Sequence, residues 1–147
     1  MVTERYVRRH GACRGAVLVE FAIVAMLLIF LVFGILEFGM LIKDDLAIQH
    51  AALEGARTAA LGEPTSAIVA RVIASVPTTP LTSSDVTLEK QASGAGSWGA
   101  LGNNGTQNDA APGDYIRVTV RINHRWMTGL FSPSTSPIRA ELSTRRD

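Results

Sequence analysis

The chain has 147 residues, of which 47% are hydrophobic, and its 14 basic and 13 acidic side chains give a formal net charge of +1. A chain of this length fits one domain, and the near-neutral balance offers no basic patch that would suggest nucleic acid as a partner. Cys13 is the single cysteine, which excludes an intramolecular disulfide.

Residues 1–15 form a basic leader, and a membrane-length apolar run follows it. Between Ala16 and Ile42 the only charged residues are Glu20 and Glu37. About 18 apolar residues are enough to span a membrane, so the run predicts a transmembrane helix. The leader carries one glutamate and four arginines, which predict a cytoplasmic N-terminus: Arg5, Arg8, Arg9 and Arg14. A secretory signal is the alternative, but its apolar region is shorter and ends at small residues.

The helical pattern continues beyond the apolar run. Residues 46–61 are mostly strong helix formers, and Gly62 suits a helix C-cap. We therefore predict one helix over residues 16–62, about 70 Å long at about 1.5 Å per residue. Its first part would lie in lipid, and the rest would project as a stalk.

Residues 63–147 are predicted to form a small extracytoplasmic α+β domain. Apolar residues at helical spacing over 68–76 predict one short helix. Alternation of apolar and polar residues predicts about three antiparallel strands, near residues 86–89, 116–122 and 138–142. Residues 92–113 are rich in Gly, Ser, Asn and Ala and are predicted to be a flexible loop between two of these strands.

Glu20 is an ionisable residue at the start of the apolar run. A carboxylate in hydrocarbon is costly and indicates a functional role unless it lies near the headgroups. Because Arg14 is only about 8 to 9 Å away along a helix, an interfacial position for Glu20 is also consistent with the sequence.

The chain resembles the TadE-like pseudopilin family of the tight adherence (Flp) type IVb pilus system. Three blocks carry the resemblance: residues 14–22 (RGAVLVEFA), 35–39 (ILEFG) and 51–57 (AALEGAR). Family members often have a proline shortly after the Glu-Phe pair, where this chain has Ala25-Met26, so its helix is expected to be straighter.

The resemblance implies a pilin-like fold and a prepilin-type signal. A prepilin peptidase would cut after Gly15, with Ala16, Glu20 and Phe21 completing the processing site. Ala16 would then carry a free amine about one helical turn from Glu20, and neutralisation of the two charges would offset their desolvation. The implied role is a minor pilin or pseudopilin that acts in pilus assembly with other pilin-like subunits and the assembly platform. The implied location is the bacterial inner membrane, with incorporation into a pilus left open.

Several residues beyond the leader are candidates for subunit or helix packing. Small residues recur every four positions from Ala47, and such a face lets helices approach closely, although alanine is also simply a good helix former. Glu37 would lie near the far headgroups, solvated by interfacial water or in contact with a neighbouring subunit. Glu54 and Arg57 are spaced to form an ion pair. The predicted packing set is Glu37, Gly39, Ala47, Ala51, Glu54, Gly55 and Arg57.

None of the candidate catalytic, cofactor or metal motifs has the surrounding sequence pattern that it requires. Residues 94–99 spell a dinucleotide fingerprint, but no βαβ pattern surrounds them. The Asn and Asp residues of 103–114 lack the spacing of a calcium loop, so turn chemistry is favoured. His124 is the single histidine of the outer domain. The sequence therefore predicts no enzyme, no cofactor and no metal. Two rival classes remain: an unprocessed single-pass protein with a ligand- or partner-binding domain, and, less favoured, a membrane-tethered enzyme.

Overall fold

A computed structural model describes residues 12–129 and 135–147 of the chain. Most of the predicted leader, residues 1–11, lies outside the described residues, as do residues 130–134. The described residues divide into two compact units between Phe38 and Gly39.

Helix α1 runs without interruption from Ala12 to Ala60. Its sequence contains no proline, so no backbone donor is lost within it. It ends where Gly62 adopts a φ of +84°, which glycine reaches without steric cost, and the Gly62 N–H donates to the Ala59 carbonyl at 3.0 Å. From Gly15 onward the helix is long and apolar enough to cross a membrane.

In the first unit the large apolar side chains of α1 point outward. Phe21, Ile23 and Met26 are each more than 60% exposed, and the other large apolar side chains up to Phe38 are also exposed. A helix segment that is apolar on all sides is suited to a lipid environment.

The second unit, Gly39–Asp147, combines the remainder of α1 with a short helix and an antiparallel sheet. Helix α2 spans Thr65–Ser75. The strands are β1 (Val86–Gln91), β2 (Gly99–Ala100), β3 (Asn103–Asn104), β4 (Gln107–Asn108), β5 (Tyr115–His124) and β6 (Ser136–Arg145). The main sheet has the order β2-β1-β5-β6 with every pair antiparallel. The predicted α+β class is confirmed.

The segment 92–113 differs from the predicted flexible loop because it contains three short strands. Strand β2 extends the main sheet on β1, with Glu89 opposite Ala100. Strands β3 and β4 form a hairpin whose turn contains Gly105 at a φ of +66°. Strands of two residues are too short to show any periodicity, so the pattern of the sequence could not predict them.

The core of the second unit lies between the sheet and the helices. Strand β5 contributes Ile116, Val118 and Val120, each wholly buried, and α2 contributes Ile68 and Val72. The compact unit therefore begins at Gly39 and not after residue 62, because the second half of α1 supplies one side of this core: Ile48, Ala51, Ala52, Ala56 and Ala59.

Candidate functional site

The predicted processing site lies on an uncovered part of α1. Every side chain from Gly15 to Phe21 is exposed. A Cβ atom placed on Gly15 would meet nothing within 4 Å outside its own helix. Ala16 and Glu20 are one helical turn apart, about 6 Å along the axis. Residues 15–21 are thus exposed, and Ala16 and Glu20 lie on one face of the helix.

The two carboxylates of the apolar run have opposite environments. Glu20 is exposed, whereas the side chain of Glu37 is wholly buried within the single chain. The predicted roles of Glu37, solvation near the headgroups or contact with a neighbouring subunit, stay predictions. Gly39, by contrast, stays open, since a Cβ atom there would meet nothing within 4 Å.

The face of small residues on α1 packs inside the domain. Ala51, Gly55 and Ala59 are buried, and Ala47 is half-buried. A Cβ atom on Gly55 would lie only 2.5 Å from Val72 Cγ2 of α2. These residues therefore allow α2 and the sheet to approach α1 closely.

Glu54 connects α1 to α2 through two arginines. The predicted pair with Arg57 is confirmed at 3.2 Å between Oε1 and Nη1. Arg71 of α2 also donates to Glu54 Oε2, from Nη2 at 2.9 Å and from Nε at 3.3 Å. The hydrogen bond from Arg71 is the main reason that the pKa of Glu54 lies below its usual value, although burial acts in the opposite direction.

The sequence did not predict a partner for His124. His124 Nδ1 lies 2.8 Å from Asp44 Oδ2, and the imidazole is only 3% exposed. Trp126 packs edge-on against the His124 ring, with centroids 5.4 Å apart, and its Nε1–H donates to Ser136 Oγ at 2.9 Å. These contacts fasten the end of β5 to α1 and to β6. Because 80 positions separate Asp44 from His124, no local pattern in the sequence could reveal the pair.

Acidic residues of the 92–114 region accept hydrogen bonds from backbone N–H groups and from a lysine. Asp114 accepts hydrogen bonds from the N–H groups of Ala111 and Ser93 at 2.8 and 3.0 Å, and these bonds hold its pKa below the usual value. For Asp109, burial would raise the pKa, but hydrogen bonds from Lys90 and the Gly102 N–H lower it by more. Lys90 Nζ lies 2.7 Å from Asp109 Oδ2. The described part of the chain contains no group of three His, Cys, Asp or Glu residues that could hold a metal ion.

Polar and charged residues cover the outer face of the sheet. Arg117 on β5 pairs with Glu89 on β1 at 2.7 Å and with Glu141 on β6 at 3.3 Å. The Trp98 ring stacks on the Arg117 guanidinium at 4.1 Å. This network connects the 92–113 segment to the sheet.

The architecture defines a class of protein: a membrane-length helix whose second half forms one side of a small α+β domain. Residues 15–57 match the family described as TadE-like protein. This match confirms the resemblance inferred from the three sequence blocks. The family is structural rather than catalytic and is involved in the Tad pilus system. The apolar helix and the family together indicate a membrane location. No curated protein and no solved structure matches the chain.

Proposed function

We propose that this chain is the precursor of a minor pilin or pseudopilin, and that a prepilin peptidase cleaves it after Gly15. The mature protein would act in assembly of an adhesive type IVb (Flp/Tad) pilus or a related secretion apparatus. The observation that carries the proposal is the family match, which begins at Gly15 and includes the whole apolar run and the block at residues 51–57.

The chemistry of the processing site supports this role. Cleavage removes the arginine-rich leader and creates an α-amine on Ala16, one turn from the Glu20 carboxylate. Two opposite charges at that spacing offset each other's desolvation when the helix enters an apolar assembly, whereas either charge alone would be costly there. Glu20 is exposed in the single chain, so it is free to meet this amine or that of a neighbouring subunit.

The arrangement of charges sets the proposed orientation. The leader arginines keep the N-terminus in the cytoplasm of the bacterial cell, and the domain from Lys43 onward then lies on the outer side of the inner membrane. The proposed partners are the prepilin peptidase, other pilin-like subunits and the pilus assembly platform.

Coexpression with a prepilin peptidase tests the proposal. The full chain is expressed in a peptidase-free host with and without the enzyme, and the N-terminus of the purified product is read by mass spectrometry. We expect a new N-terminus at Ala16 only when the peptidase is present. Gly15→Leu should abolish the cut, and Gly39→Leu is the matched control because both glycines have open space around Cβ. An intact chain in the presence of an active peptidase would overturn the proposal and favour an unprocessed single-pass protein.

A further inference from the structure

The turn of the β3–β4 hairpin contains an asparagine followed by a glycine. Strand β3 ends at Asn104, which pairs with Gln107, and Gly105 and Thr106 form the two-residue loop between the strands. Gly105 has a φ of +66°, and a glycine with a positive φ at the first loop position is typical of a type II′ turn. Of the four asparagines in the chain, only Asn104 is followed by glycine.

The reactive groups of these two residues are uncovered. The side chain of Asn104 is exposed. A Cβ atom on Gly105 would meet nothing within 4 Å, so the space beside the peptide bond between the two residues is open. Within the described residues the Gly105 N–H donates no hydrogen bond, because the ladder joins Asn104 to Gln107 and leaves out the loop residues. The backbone nitrogen of Gly105 and the side-chain amide of Asn104 therefore have no competing partners.

We propose that Asn104 is a site of spontaneous deamidation. The Gly105 nitrogen attacks Cγ of Asn104 and loses its proton, and the side-chain amide leaves as ammonia, so that a succinimide ring closes. Water then opens the ring. Cleavage of the bond from the nitrogen to Cγ gives aspartate, whereas cleavage of the bond from the nitrogen to the main-chain carbonyl carbon gives isoaspartate, in which the main chain continues through Cβ and Cγ. Water is the only co-reactant, and the proposal does not depend on the pilin function.

The isoaspartate product would weaken the connection between α1 and α2, because both strands of the hairpin hold it. On β3, Asn103 Oδ1 accepts a hydrogen bond from the Thr65 N–H at 2.8 Å, and Asn103 Nδ2 donates to Thr65 Oγ1 at 2.9 Å. On β4, the buried Asn108 donates from Nδ2 to the carbonyls of Ala59 and Glu63, each at 3.0 Å. An extra carbon in the main chain at the end of β3 shifts β3 relative to β4, so these bonds cannot all keep their geometry.

Ageing of the purified full chain in detergent, at neutral and at mildly alkaline pH, tests the proposal. Peptide mapping by mass spectrometry follows the conversion of each asparagine to an acid, and labelling by an isoaspartate methyltransferase identifies the isoaspartate product. We expect Asn104 to convert with time, and faster at the higher pH because the attacking nitrogen must lose a proton. Asn123 is the internal control, since it is also exposed but is followed by a histidine. A folded chain in which Asn104 stays intact, or converts no faster than Asn123, overturns the proposal.

Thermal unfolding of aged and fresh protein tests the structural consequence. The aged wild-type chain should have a lower melting temperature than the fresh chain, whereas Asn104→Gln should melt at the same temperature before and after ageing. Fresh Asn104→Asp carries the charge of the aspartate product without the extra main-chain carbon, so it should melt with the fresh wild type. If the aged wild type contains isoaspartate at residue 104 and still melts with the fresh chain, the hairpin does not hold the connection between the helices, and that consequence is wrong. Cleavage after Gly15 is measured separately, so failure of this proposal leaves the proposed function unaffected.

Discussion

Gly55 is the position where the packing of α1 against the sheet domain can be tested most sharply. A Cβ atom there would lie 2.5 Å from Val72 Cγ2 and 3.1 Å from Val118 Cγ1, whereas ordinary contact begins at 3.4 Å. Val72 would have to move by about 1 Å, yet it is wholly buried and its branched side chain has one favoured rotamer in a helix. The substitution Gly55→Ala therefore forces the two helices apart.

The expected change in the free energy of unfolding on Gly55→Ala is the balance of two effects. Alanine improves helix propensity by about 1 kcal/mol relative to glycine. Overpacking a filled core costs about 1–3 kcal/mol. We expect Gly55→Ala to lower the free energy of unfolding by about 1 kcal/mol, which is about 4–8 °C in melting temperature for a domain of this size. Gly55→Leu should destabilise the domain further because more atoms must be accommodated.

Thermal unfolding of the full chain in detergent, followed by tryptophan fluorescence, measures this loss. Gly39→Ala is the control, because a Cβ atom there meets nothing, so the melting temperature should stay the same or rise. Adding Val72→Ala to Gly55→Ala should relieve the clash, so that the double variant loses less than the two single losses together. A melting temperature of Gly55→Ala equal to or above that of the wild type would refute the packing argument.

Three further changes probe other contacts. Asp44→Ala leaves the buried Nδ1 of His124 without its acceptor and should lower the unfolding free energy by about 1–3 kcal/mol. Asp45→Ala removes only an exposed hydrogen bond from Gln49 and should change it by less than about 0.5 kcal/mol. The pKa of Asp109 is lower in the folded chain than in the unfolded chain, so its contribution to stability is present above the unfolded pKa and is lost as pH falls through the folded pKa. Asp109→Asn should therefore flatten the acid dependence of the unfolding midpoint. Glu20→Gln should still be cut by the peptidase, and a pull-down of mature subunits should show reduced association.

For each of these three experiments a different result would contradict the prediction. Equal losses for the two aspartate variants would mean that the His124 contact stabilises little. An unchanged acid dependence in Asp109→Asn would show that other carboxylates dominate acid unfolding. Normal association of the Glu20→Gln subunits would show that assembly does not depend on a charge pair formed by Glu20.

The sequence alone predicted those features that depend on neighbours along the chain. The long helix, the short helix and the strands near residues 86, 116 and 138 each follow from a local period of apolar residues. The Glu54–Arg57 pair follows from helical spacing. The three blocks at residues 14–22, 35–39 and 51–57 indicated the family, because each is a motif of neighbouring residues.

Only the tertiary structure decided what each surface of that helix faces. The sequence showed that a face of small residues includes Gly55, but not that α2 and β5 would occupy it, since this depends on residues far apart in the chain. The same reason applies to the burial of Glu37, to the pairing of His124 with Asp44 and to the short strands of residues 92–113, which are held by long-range contacts such as the Lys90–Asp109 ion pair. A periodic pattern shows that a surface will be covered, and the partner is selected only when the whole chain packs.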